Sequence, residues 1–131
     1  MKYNKLIAEF MGVNPTILGD EITYEMYGII DCIEDGLDEQ HFFLEEELMF
    51  YDSWDWLMPV IDKIESLGYE LIIAESRCKI NHNTDHSIEE VINIDIIGSK
   101  REATYQAVVE FIKQYNESNK MDTLPTSVQQ G

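Results

Sequence analysis

A small α+β domain is the fold class this sequence predicts, with an antiparallel sheet packed against about three helices. Apolar residues recur at helical spacing in three separate stretches, near residues 4–11, 54–68 and 99–115. Residues 69–97 instead show the two-residue alternation of half-buried strands, including a hairpin. The 131 residues, 44% of them hydrophobic, suffice for one core and are too few for two ordinary domains. The expected organisation is one globular unit over residues 1–118 and a flexible tail over 119–131.

Tyr3, Leu6, Ile7, Phe10 and Met11 share a helical face, and Gly12 stands where a helix ends in the left-handed conformation, so the first helix covers Asn4 to Met11. Gly12 to Gly19, with Pro15 inside it, reads as a loop. Ile22 to Asp31 is rich in β-formers and reads as a strand, followed by an acidic turn from Glu34 to Gln40 around Gly36. His41 to Tyr51 is ambiguous. Phe42, Leu44, Leu48 and Phe50 alternate as in a strand, while Phe43, Leu44 and Leu48 suit a helical turn.

Trp54, Leu57, Met58, Ile61 and Ile64 trace the face of a second helix, with Asp52 or Ser53 as its N-cap and Gly68 closing it. Pro59 lacks the amide proton a helix interior uses, so either the regular helix starts near Pro59 or it kinks there. Tyr69 to Ile80 and Ile88 to Ile97 read as two strands joined across the polar stretch Asn81 to Ser87. Ser99-Lys100-Arg101-Glu102 is a capping-box pattern that opens a last helix reaching about Tyr115.

Charge is the strongest functional signal. The chain carries 26 acidic residues against 9 Lys and Arg, a net charge of −17, with an isoelectric point near 4.2. Direct binding of nucleic acid or of an anionic membrane rests on basic side chains neutralising phosphates, so this composition argues against both. Residues 20–70 hold sixteen of the acids with Lys63 as the sole base. A solvated face that maintains solubility would look like this, and so would a surface that meets a basic partner. The N-terminus turns amphipathic before any useful apolar run and no segment approaches the length of a membrane span, so a cytoplasmic protein is expected, with Cys32 and Cys78 as free thiols.

Motifs that carry chemistry are sparse. There is no Gly-rich phosphate loop, G-x-S-x-G, H-E-x-x-H or C-x-x-C. Cys78, His82 and His86 could in principle contribute to a zinc site, but the spacing matches no strong signature, and neither metal nor cofactor is expected. Asp31 to Glu39 superficially resembles a calcium loop around Asp35-Gly36. Ile33 and Phe42 occupy two positions where that loop needs oxygen ligands. The two tryptophans of Ser53-Trp54-Asp55-Trp56-Leu57-Met58-Pro59 read as core at the start of an amphipathic helix, in preference to a binding hot spot.

Three blocks carry a resemblance: Asn4-Lys5-Leu6-Ile7-Ala8-Glu9-Phe10-Met11-Gly12, the Ser-Trp-Asp-Trp-Leu-Met-Pro-Val run from Ser53 to Val60 with Lys63-Ile64-Glu65, and Glu102 to Lys113. They resemble the recurring segments of a family of small uncharacterised proteins of bacteriophages and Bacteroidetes-type bacteria. The resemblance implies a phage or prophage product at work in a bacterial cytoplasm, and it brings no activity or catalytic residue. Since the blocks coincide with the three expected helices, they mark the scaffold and leave the acidic segment for individual function.

The sequence therefore points to a non-enzymatic module that binds a protein partner with a basic surface, in a sharper version as a nucleic-acid mimic. Its expected contact residues are Asp31, Glu34, Asp35, Asp38, Glu39, Glu45, Glu46 and Glu47, with Phe42 and Phe43 as aromatic anchors. A small metal-dependent protein or enzyme using Cys78, His82 and His86 is a second reading. A self-associating phage component is a third, with oligomeric state open.

Overall fold

A computed structural model of the chain describes residues 3–26, 42–83 and 87–123. It is an α+β fold with two three-stranded antiparallel sheets and three α-helices. The first helix, α1 (Asn4–Phe10), buries Ile7, Ala8 and Phe10, and Gly12 takes φ +86° beyond it, a region that a side chain with a Cβ rarely enters. The expected loop before Gly19 contains a short strand: β1 (Thr16–Leu18) pairs with β2 (Glu21–Glu25) around Gly19-Asp20, with Ile17 opposite Ile22. Pro15 sits just ahead of β1, so the ladder does not need its missing donor. Of the strand expected over Ile22–Asp31, the described part is β2 and Met26; the rest lies outside the described residues, as does the acidic turn from Glu34 to Gln40.

Within Phe42–Tyr51 neither of the competing patterns holds throughout. Strand β3 (Phe42–Leu44) completes the first sheet against β2, and a single 3₁₀ turn, Glu45–Glu47, follows at once. Helix α2 (Trp54–Ser66) carries Pro59 inside it, so of the two alternatives the proline left open the later start is excluded. Its buried stripe, Trp56, Leu57, Val60, Ile61 and Ile64, supplies the packing that offsets the ladder bond lost at Pro59. Gly68, at φ +99°, closes the helix where the sequence placed its stop.

The stretch Tyr69–Ile80, expected as one strand, is a turn with strand on either side. β4 (Tyr69–Ala74) and β5 (Arg77–Asn83) pair through Ala74 and Arg77, leaving Glu75-Ser76 as the turn. Glu75 reaches φ +52°, the only described non-glycine residue in that region. β6 (Ile88–Asp95) completes the second sheet against β5, with a register slip between Ile80 and Asn81 that leaves Val91 as the extra residue of a bulge.

Helix α3 (Lys100–Thr123) lies across β5 and β6, and α2 packs beside it on β4. The capping box forms as the sequence predicts: the Glu102 backbone N–H donates to Ser99 Oγ at 3.0 Å and the Ser99 N–H to Glu102 Oε1 at 3.0 Å. The helix continues past Tyr115 to Thr123, so its end overlaps the stretch expected as tail; residues 124–131 lie outside the described set. One core unites the elements, centred on Ile7, Tyr24, Met26, Phe50, Leu57, Ile64, Ile80, Val108 and Ile112. No described helix is long and apolar enough to cross a membrane.

Candidate functional site

The acidic surface is held in place by neutral contacts. Asn4 is fully buried at the start of α1, and its side-chain Nδ2 donates to the backbone carbonyls of Glu45 at 2.9 Å and Leu48 at 3.0 Å. These two bonds dock the 3₁₀ turn against the helix. Within the turn the three glutamates have different fates. Glu47 Oε1 accepts the Leu44 backbone N–H at 2.8 Å, Glu45 is half-buried, and Glu46 is exposed. Consecutive residues of a 3₁₀ turn fan out about 120° apart, so Glu45, Glu46 and Glu47 do not line up toward one partner.

The aromatic residues expected as anchors are divided. The Phe43 ring packs edge-on against Trp56, with centroids 5.3 Å apart, and Trp56 in turn meets Phe50 at 5.4 Å. Phe43 is thus half-buried against the core, and Trp56 is core as the sequence reading holds. Phe42 is placed by its backbone, opposite Glu25 in the β2–β3 ladder. Asp31, Glu34, Asp35, Asp38 and Glu39 lie outside the described residues.

A row of acids that the sequence reading did not single out lies on the outer face of α2. Asp55, Asp62 and Glu65 are exposed together with Met58 at three- and four-residue intervals, which puts them on one stripe spanning roughly 15 Å. The signal was present as the complement of the apolar face. Lys63, the sole base of residues 20–70, does not neutralise this row. Its ammonium donates to the carbonyl of Phe10 at 2.5 Å, at the last turn of α1, and sits 4.9 Å from the centre of the Phe10 ring. A cation there answers the unpaired carbonyls and negative end of α1.

Of the alternative metal ligands Cys78, His82 and His86, the two described do not converge. Cys78 and His82 are four residues apart along β5, about 13 Å in a strand, too far to share one ion directly. Cys78 is fully buried, and burial pushes its thiol up to about 11, partly opposed by a hydrogen bond with Thr104, so at neutral pH it is an inert packed thiol. His82 stacks on Tyr69 with ring centres 4.5 Å apart, and His86 lies outside the described residues. Among the described residues no three His, Cys, Asp or Glu side chains are grouped to hold a metal ion.

A second candidate site is a half-open pocket of about 560 Å³ bounded by Tyr3, Tyr51, Ile94, Tyr105, Gln106, Val109 and Glu110. Its walls come from four places: the residue before α1, the turn before α2, β6, and one face of α3. Tyr51 is fixed at both ends. Its hydroxyl donates to Glu102 Oε2 at 2.9 Å, and its carbonyl accepts Arg101 Nε at 2.6 Å. Tyr51 meets Tyr105 edge to face, centroids 5.1 Å apart, and Lys113 Nζ lies 4.4 Å from the Tyr3 ring centre and 3.3 Å from Glu110. The hydrogen bond to Glu102 raises the phenol of Tyr51, and burial raises that of Tyr105, so both stay protonated at neutral pH. The lining offers aromatic rings, an amide and the Glu110 carboxylate, which pairs with Lys113.

Comparisons with protein-family models, curated proteins and solved structures found no match.

Proposed function

We propose that the chain is a non-enzymatic binding module that meets a basic protein surface through its acidic segment. The observation that carries this reading is the position of Lys63: with that cation turned onto the end of α1, the row Asp55, Asp62 and Glu65 faces solvent from a segment holding no other base. Uncompensated charge on a rigid helix raises the local concentration of a basic partner and speeds its encounter.

Carboxylates at one- and two-turn spacing on a helix also suit the sharper version, imitation of a phosphate backbone inside a Lys- and Arg-lined groove. The fan of Glu45, Glu46 and Glu47 suits it less well. The resemblance to phage-type proteins supports a partner of the bacterial cytoplasm, where nucleic-acid-handling and defence proteins present such grooves.

The test is capture by the tagged full-length chain from a nuclease-treated bacterial lysate at low and high salt, with bound proteins identified by mass spectrometry. Recovery of a basic, nucleic-acid-handling protein that is lost as salt rises, and lost with Asp55→Asn, Asp62→Asn and Glu65→Gln combined, is the expected result. An empty low-salt lane, or capture indifferent to both salt and the triple variant, overturns the reading.

A further inference from the structure

We propose that β4 is a docking edge, to which an extended segment of the basic partner adds as a fourth strand of the second sheet. The inference rests on the basic-partner reading above and supplies its mode of contact.

Pairing with β5 fixes which backbone groups of β4 are in use. The two strands join through the two-residue turn Glu75-Ser76, so Ala74 and Arg77 face each other as a hydrogen-bonded pair, and the pairs alternate from there. Glu70, Ile72 and Ala74 therefore turn their N–H and C=O groups toward β5. Those of Tyr69, Leu71 and Ile73 point the other way, and among the described residues no strand lies beyond β4 and no backbone hydrogen bond takes these groups up. No residue of β4 is buried, and Ile72 on its outer face is 44% exposed.

A free edge invites another strand, and the other edges of this protein are blunted where β4 is not. β6 carries the bulge at Val91 and the acids Glu89, Glu90 and Asp95. β1 and β3 are three residues long, and Pro15, just ahead of β1, has no N–H to offer. β4 runs for six residues with no proline, no bulge and a single charge, Glu70.

Charge selects the occupant. Residues 52–76, which form α2, β4 and the turn after it, hold Asp52, Asp55, Asp62, Glu65, Glu70 and Glu75 against Lys63 alone, and Lys63 is engaged with the Phe10 carbonyl. The two bases of β5 are answered on its far side: Lys79 pairs with Glu90 at 3.5 Å, and Arg77 stands opposite Asp95. A second copy of the chain would bring these acids against its own, so the edge repels itself and attracts a segment rich in Lys or Arg. Side chains of an added strand alternate between the sheet's two faces. On one face they meet the half-buried apolar side chains of Tyr69, Leu71 and Ile73, and on the other Glu70 and Ile72. A segment that alternates aliphatic with basic residues satisfies both.

The probe is the heptapeptide KVTVKVK, acetylated and amidated, titrated into the ¹⁵N-labelled full-length chain with amide hydrogen exchange read by NMR. In the free chain the amides of Leu71 and Ile73 should exchange faster than that of Ile72, and the peptide should slow them. Two further peptides carry N-methyl groups on alternate residues, at the valines or at the residues between them, so each blocks one edge of the added strand and keeps its charge. One of the two should bind at least about tenfold more weakly than the unmodified peptide, the effect of losing two or three hydrogen bonds. The acidic counterpart EVTVEVE should also bind at least about tenfold more weakly, repelled by the acids around the edge. The inference is overturned if Leu71 and Ile73 are as protected as Ile72 in the free chain, or if KVTVKVK leaves their exchange unchanged. Equal binding by both methylated peptides overturns it too and leaves the basic-partner reading standing, since charge alone then suffices. Equal binding by EVTVEVE instead overturns the basic-partner reading, and with it the chemistry assigned to the added strand. A free chain that is dimeric in solution, with these amides protected, assigns the edge to a second copy and overturns the inference as well.

Discussion

Asn4 ties together parts of the chain that share no local sequence signal. Its amide, itself fully buried, donates to carbonyls 41 and 44 residues away. Asn4→Ala would remove both donors and leave the buried Leu48 carbonyl and the part-buried Glu45 carbonyl without them, and a buried acceptor costs about 1–3 kcal/mol when unsatisfied. The expected loss is about 2–4 kcal/mol, read as a lowered urea midpoint with an unchanged slope. A loss below about 0.5 kcal/mol would mean that water replaces the amide. The sequence placed Asn4 correctly at the start of a helix, because helical periodicity is a local property. What it bonds was illegible, since that depends on where the chain returns after forty residues. Cys78 and His82 illustrate the same limit: their closeness in sequence left a shared ion open, whereas strand geometry spreads them about 13 Å apart.

At the scale of elements, the capping box of α3 was legible because Ser99 and Glu102 are neighbours on one turn. Its second use was not. Glu102 also receives the hydroxyl of Tyr51, and so one carboxylate closes a helix end and fixes a pocket wall. Its carboxyl is held below the ordinary 4.5 chiefly by the Ser99 backbone N–H, then by the hydrogen bonds of Tyr51 and Ser99. A carboxyl whose folded pKa is lowered stabilises the native state above its unfolded pKa, and that contribution fades as pH falls below about 4.5 toward the folded value. Glu102→Gln keeps an oxygen for Tyr51 but cannot titrate. The variant's stability should therefore fall less steeply than the parent's below pH 4.5, as urea midpoints from pH 6 to pH 3 would reveal; parallel curves would refute it. The Glu75-Ser76 turn escaped the sequence reading for the converse reason. Without Gly, Pro, Asn or Asp, Tyr69–Ile80 reads as one long strand, and the turn exists because pairing β4 with β5 outweighs a strained φ of +52° at Glu75.

On the scale of the whole molecule, competing electrostatic effects decide the response to salt. The exposed pairs Lys79–Glu90 and Lys113–Glu110, at 3.5 Å and 3.3 Å, contribute roughly 0.2–1 kcal/mol each at best and weaken as salt rises. Against them stands the self-repulsion of a chain with net charge −17, concentrated in residues 20–70, whose one base is engaged with Phe10. Shortening the Debye length from about 30 Å at 0.01 M to about 8 Å at 0.15 M screens repulsion between many acids and attraction in only a few pairs. Folding brings the charges of the chain closer together than they lie in the unfolded chain, so the native state gains more from screening than the unfolded chain does. Sodium chloride should therefore raise the melting temperature, by about 3–5 °C for each kcal/mol recovered in a chain of this length. Most of the gain should come below 0.15 M, where screening changes fastest. Potassium chloride should match sodium chloride if the effect is screening. A melting temperature that stays flat or falls would show that the acidic segment is as well separated in the folded protein as in the unfolded chain, and would remove the concentrated negative field on which binding a basic partner depends.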